Sequence, residues 1–212
     1  MPPLSQLSDP AHARLYSLPF GENLLSVAVS QEHAEILRTL RSLHELSTFL
    51  NLSESETDEL PVEACYPDRV YTVEHSILTP LYDSVDPNRS NDIWNILRHA
   101  SLLFIYTNLR QTPVGGEIRK SLSGRLRLAL QSAELRSLRD FPAEMLWISC
   151  LGLVGAQDTI NHRYFLSCVK SICTESSIGS WTEVIGFCRS MPTFERSCAT
   201  KCKTLCINNI FF

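Results

Sequence analysis

A chain of 212 residues with 44% hydrophobic and 20% charged residues is long enough for one substantial core, and that balance excludes wholesale disorder. A net charge of -4 excludes a generic nucleic-acid binder, which carries a basic excess on one face. The opening MPPLSQLSDP has no basic start, apolar centre or small-residue cleavage site, and the longest apolar run, Met145 to Ala156, is shorter than the roughly 20 residues of a membrane span, so we expect a soluble intracellular protein with eight reduced cysteines.

Residues 1–20, with Pro2, Pro3, Pro10 and Pro19 among polar residues, read as an irregular lead-in, and residues 21–212 as a single helical domain. Ser30 is placed to cap a helix in which Ile36, Leu37, Leu40, Leu43, Leu46, Phe49 and Leu50 recur at steps of three and four, ending near Leu52. An acidic loop near 53–67 follows, with little to bury. Val70, Val73, Ile77 and Leu78 mark the next helix, which Pro80 is expected to end or kink because it lacks a backbone donor. After the turn signal Asp86-Pro87-Asn88, Ser90 is placed to cap a helix with Ile93, Leu97, Ala100, Leu103, Phe104 and Thr107 in one broad core-facing stripe.

Pro113-Val-Gly-Gly breaks that helix. Ile118, Leu122, Leu126, Ala129, Leu130 and Ala133 then mark the inner face of the next, with arginines on the opposite side; Arg119, Lys120, Arg125 and Arg127 form a basic stretch that reads as solvated surface, as does the acidic one from Glu54 to Asp68. Arg139-Asp-Phe-Pro142 is a second break. Met145 to Ala156 is apolar on nearly all sides, the signature of a helix surrounded by others, and Gly152 and Gly155 within it imply close backbone packing. Asn161 is placed to cap a helix striped by Tyr164, Phe165, Cys168, Val169 and Ile172. Ser180 and Glu183 fit a capping box ahead of Trp181, Val184, Ile185 and Cys188, and a last helix runs from about Phe194 to Leu205. With no alternating strand pattern, hairpin turn or internal repeat, the fold class is all-α, a compact multi-helix domain of antiparallel and crossed helices around an apolar central one.

Chemistry is sparsely signalled. Cys198, Cys202 and Cys206, four apart, put three thiols on one helical face, where they could serve a soft metal; without a Cys-x-x-Cys pair the simpler reading is a helix packing a small apolar edge. Cys150, in the middle of an apolar helix, lacks the base and polarity a nucleophile needs. The six histidines are scattered, and no serine-hydrolase elbow, phosphate loop or dinucleotide fingerprint occurs. Glu74, Asp92 and Glu144 read as surface or capping carboxylates, and Trp94, Trp147 and Trp181 as core or partner-groove anchors. No catalytic, cofactor-binding or metal-ligating residue is assigned, and we do not expect an enzyme.

The order of motifs carries more. LRHASLLFIYTNLRQTPVGGEIRKSLSGRLRLAL, then EMLWISCLGLVGA, RYF, SWTEVIGFC and a terminal helix with Cys198 together resemble the fungal-specific transcription factor domain, the helical regulatory region downstream of the zinc cluster in fungal zinc binuclear cluster factors. The likeness runs from about Leu18 to Cys206 and is strongest after Ser90. It departs at Met191-Pro192-Thr193-Phe194, where relatives carry a continuous apolar, Trp-containing stretch, and again from Cys202 to Phe212. The family's zinc cluster, with paired Cys-x-x-Cys elements and a basic stretch, has no counterpart here.

The resemblance therefore implies a nuclear regulatory domain that controls transcription through protein contacts, with room for a small-molecule effector and for homodimers. Its partners would be the transcription machinery or a zinc-cluster factor, with DNA reached indirectly or through a separate N-terminal module. The competing reading is a helical scaffold or small-molecule-binding protein that keeps the fold without transcriptional function.

Overall fold

The computed structural model describes residues 22–28, 30–53, 66–83, 93–133, 140–194 and 196–211, and among them every regular element is helical, as expected. The helices are α1 (Glu22–Val27), α2 (Gln31–Ser53), α3 (Tyr66–Asp83), α4 (Ile93–Phe104), α5 (Glu117–Ser132), α6 (Pro142–Gly155), α7 (His162–Glu175), α8 (Trp181–Phe187) and α9 (Arg196–Asn209). A π-helical turn, Ile105–Leu109, continues α4. The lead-in 1–20, the acidic loop apart from its ends, the Asp86-Pro87-Asn88 turn, Asp92 and the Ser90 cap lie outside the described residues.

The centre of the body is α6. Pro142 opens it at the first turn, where its missing N–H costs nothing, and every residue from Leu146 to Ala156 is buried. Helices α4, α5, α7 and α9 pack around it, while α2 and α3 pair and lie against α4. The two glycines of α6 mark its closest approaches. A Cβ on Gly152 would lie 2.2 Å from the Phe165 ring of α7, and one on Gly155 would lie 2.8 Å from a Leu103 methyl of α4.

The expected stripe of α4 is buried throughout, from Ile93 to Thr107. Ser30 accepts the His33 amide at 3.1 Å ahead of α2, and the capping box of α8 is complete, Ser180 Oγ accepting from the Glu183 amide while Glu183 Oε2 accepts from the Ser180 amide.

Four expectations change. Helix α3 continues past Pro80 to Asp83, so Pro80 does not end it; only the last turn is left to run without the bond that the missing N–H would have made. In α5 the inward face runs through Arg119, Leu122, Leu126 and Leu130, so Arg119 is buried and Ile118, half exposed at 50%, sits beyond the edge of the stripe. Asn161 stands at the start of α7 without capping it, because its Oδ1 instead accepts from Arg127 at 3.0 Å. Helix α9 starts at Arg196 rather than Phe194.

That last shift leaves Met191 to Phe194 as a strap rather than a helical turn. Met191 and Phe194 are buried, and the Pro192 carbonyl accepts from Trp147 Nε1 at 2.8 Å. Asn51 of α2 holds the strap from the other side, donating to the Phe194 carbonyl at 3.3 Å and accepting from the Arg196 amide at 3.0 Å. An orphan donor at the start of α9 is thereby satisfied by a distant side chain.

Candidate functional site

Three polar arrangements lie inside this body. The first is built on the π turn. The wider turn, marked by the Arg110 amide bonding to Ile105 O, frees the Thr107 carbonyl for Arg119 Nη2 at 3.5 Å and brings Thr112 Oγ1 to Arg119 Nε at 3.1 Å. Burial lowers the pKa of this guanidinium, and its Nη1 has no hydrogen-bond partner. On the outer side of the same turn, Glu74 of α3 accepts from Tyr106 at 2.6 Å and forms an ion pair with Arg110. Glu74 is thus a buried structural acceptor, not the surface carboxylate its isolation in sequence suggested.

The basic stretch also changes character. Lys120 and Arg125 are exposed, but Arg119 is interior and Arg127 lies over the Tyr164 ring, 5.2 Å from its centre, while bonding to Asn161. It is a set of helix-to-helix clamps as much as a solvated face.

The second arrangement is a lone carboxyl. Glu144, in the first turn of α6, is 1% exposed, and neither carboxyl oxygen reaches a hydrogen-bond partner. Burial, only partly offset by the helix's own amide there, raises its pKa from the ordinary 4.5. The sign of the consequence follows from linkage: the folded state holds this proton more tightly than the unfolded one, so stability falls as pH rises from the unfolded value through the folded one. Glu144→Gln carries no such proton. The denaturation midpoint of the wild type should therefore drop relative to that of Glu144→Gln as pH rises through the weakly acid range; a difference independent of pH would show that Glu144 is solvated.

The third arrangement is the thiols. Cys150, Cys173, Cys188, Cys198, Cys202 and Cys206 are buried, and Cys168 is half-buried. Within this group Cys150 of α6 meets Cys202 and Cys206 of α9, all three Sγ atoms lying within 4.8 Å of one another. Cys198, one turn earlier on the same face of α9, is not part of the triangle. The sequence thus placed two of the three on one face, and the third comes from the central helix 52 residues away from Cys202. Bonds to Cys202 and Cys206, together with burial, push the Cys150 thiol well up. Those from Cys150 and Cys202 hold Cys206 down, since a thiolate that accepts from two thiols is stabilised.

A narrow enclosure between α2, α3 and α4, lined among others by Glu35, Ile77, Arg98 and Ser101, has a volume of about 10 Å³, room for a single water. Among the described residues no helix is long and apolar enough to cross a membrane. No family model, curated protein or solved structure matches this chain.

Proposed function

We propose that this chain is a helical regulatory domain of the fungal transcription factor type, acting in the nucleus through protein contacts and reaching DNA through another module or a zinc-cluster partner. The observation that carries this reading is the ordered motif series, whose pieces fall on α4 to α9. Its consistency with a single core supports it: Phe104 from the first motif, Trp147 from the second and the strap before the last helix stack together, with Phe104 and Trp147 ring centres 5.7 Å apart. Apolar side chains available for protein contacts include Tyr71, Leu128 and Ile160, which are 63%, 66% and 88% exposed.

Fused to an unrelated DNA-binding module and targeted to a reporter gene, the chain should raise or lower transcription relative to the module alone. An unchanged reporter, with the fusion folded and nuclear, together with no association with a transcription factor in a proximity-labelling screen, would remove this reading.

A further inference from the structure

Helix α9 attaches to the body in an unusual way. Its fully buried side chains are Cys198, Cys202 and Cys206, while Lys201, Lys203 and Thr204 face out, and larger apolar residues such as Leu205 are only half-buried. A helix held by packing alone would gain more from Leu or Ile at those positions, because stabilisation scales with the apolar area removed from water. Thiols bury less. What they offer in exchange is metal affinity.

The triangle has suitable dimensions. Three sulfurs around one ion at a bond length of about 2.3 Å stand about 4 Å apart, and the three Sγ atoms here all lie within 4.8 Å of one another, so a small inward rotation of the side chains closes the gap. The donors come from two rigid elements, α6 and α9. All three are sulfur, with no imidazole or carboxylate among them, which selects soft ions. Zinc normally completes a tetrahedron with a fourth ligand, whereas a three-sulfur set in a dry interior suits a three-coordinate soft ion.

We propose that Cys150, Cys202 and Cys206 form a three-thiolate site for a soft, thiophilic ion of the copper(I) class, which staples α9 to the central helix. Binding forms three sulfur–metal bonds, breaks the S–H bond of each sulfur that is still a thiol and releases those protons to solvent, with no change of oxidation state. The cation neutralises one of the three thiolate charges, and covalent bonding to the metal spreads the remaining two over the site. Entry requires only that α9, the last described helix, open locally.

The test uses the full chain with Cys65, which lies outside the described residues, replaced by Ser throughout. Copper(I) is titrated anaerobically from a competing chelator, and copper-edge X-ray absorption counts the sulfur neighbours. One ion per chain with three sulfurs is expected, along with slower amide exchange in α9 and a higher melting temperature, since a ligand of the native state stabilises by mass action. Cys206→Ala should lose the site and Cys168→Ala should keep it. The absorption measurement on the wild-type thiols stands even if Cys206→Ala does not fold. No copper(I) uptake by the folded chain, a shell dominated by nitrogen or oxygen, a folded Cys206→Ala that binds like its parent, or uptake of zinc in preference to copper(I) would each overturn the proposal.

Discussion

Trp147→Ala should lower the unfolding free energy by about 3–5 kcal/mol, a large share of the 5–15 kcal/mol typical of a whole domain. Trp147 is 1% exposed at the middle of α6 and is the largest of the fully buried side chains among the described residues. Its ring stands 5.7 Å from that of Phe104 and 6.3 Å from that of Phe194, so truncation leaves a cavity bounded by two other buried aromatics rather than by water. The loss has a polar part as well. Without the indole N–H, the Pro192 carbonyl loses the partner it has at 2.8 Å, at a cost of about 1–3 kcal/mol within the total. Trp147→Phe separates the two, keeping most of the ring while removing the donor, and should fall between Ala and wild type. Urea denaturation measures both. Because Pro192 and Phe194 form the strap that leads into α9, amide exchange in α9 should quicken first in either variant. A loss below about 1 kcal/mol for Trp147→Ala would mean that the strap does not pack on this ring.

Residues whose role is set by their own helix were legible in the sequence. Ile93, Leu97, Ala100, Leu103 and Phe104 recur with the helical period and are all buried, and Leu146 to Ala156 lack a polar face because other helices surround α6. The α8 capping box is equally local, with its two partners three residues apart. What remained hidden depends on which helix lies opposite. Arg119 follows Ile118 directly, and only the π turn, which has no sequence signature, supplies the Thr107 and Thr112 acceptors that draw it inward. Glu144 read as a surface or capping carboxylate, yet it is 1% exposed, and the carbonyl of its neighbour Ala143 accepts from the Cys188 thiol, which belongs to a segment 45 residues further along the chain. The thiol triangle was half legible. Periodicity put Cys202 beside Cys206, and nothing local could announce that Cys150 faces them.

Gly152→Ala should destabilise the protein by about 2 kcal/mol, although alanine in place of glycine ordinarily favours a helix by about 1 kcal/mol. The added Cβ would meet three atoms of the Phe165 ring at 2.2, 2.3 and 2.7 Å, so the clash is with one whole edge of the ring and not with the tip of a flexible chain. Phe165 is fully buried and has Tyr164 edge-on at 5.3 Å, which leaves the ring little room to turn. Relief therefore requires α7 to move away from α6, and that separation forfeits dispersion contacts along both helices. Gly155→Ala should cost less, because its Cβ meets the terminal methyls of Leu103 at 2.8 and 2.9 Å, and a leucine can change rotamer. Gly186, an exposed position in α8 where a Cβ meets nothing within 4 Å, supplies the opposite sign: Gly186→Ala should stabilise by about 0.5–1 kcal/mol. The mechanism is separable from general damage by a double-mutant cycle with Phe165→Leu. If the ring edge is the obstacle, the smaller side chain absorbs the new methyl and the two substitutions together cost at least about 0.5 kcal/mol less than their sum. Strict additivity would place the cost of Gly152→Ala in the helix backbone and remove the close approach of α6 and α7 as its cause.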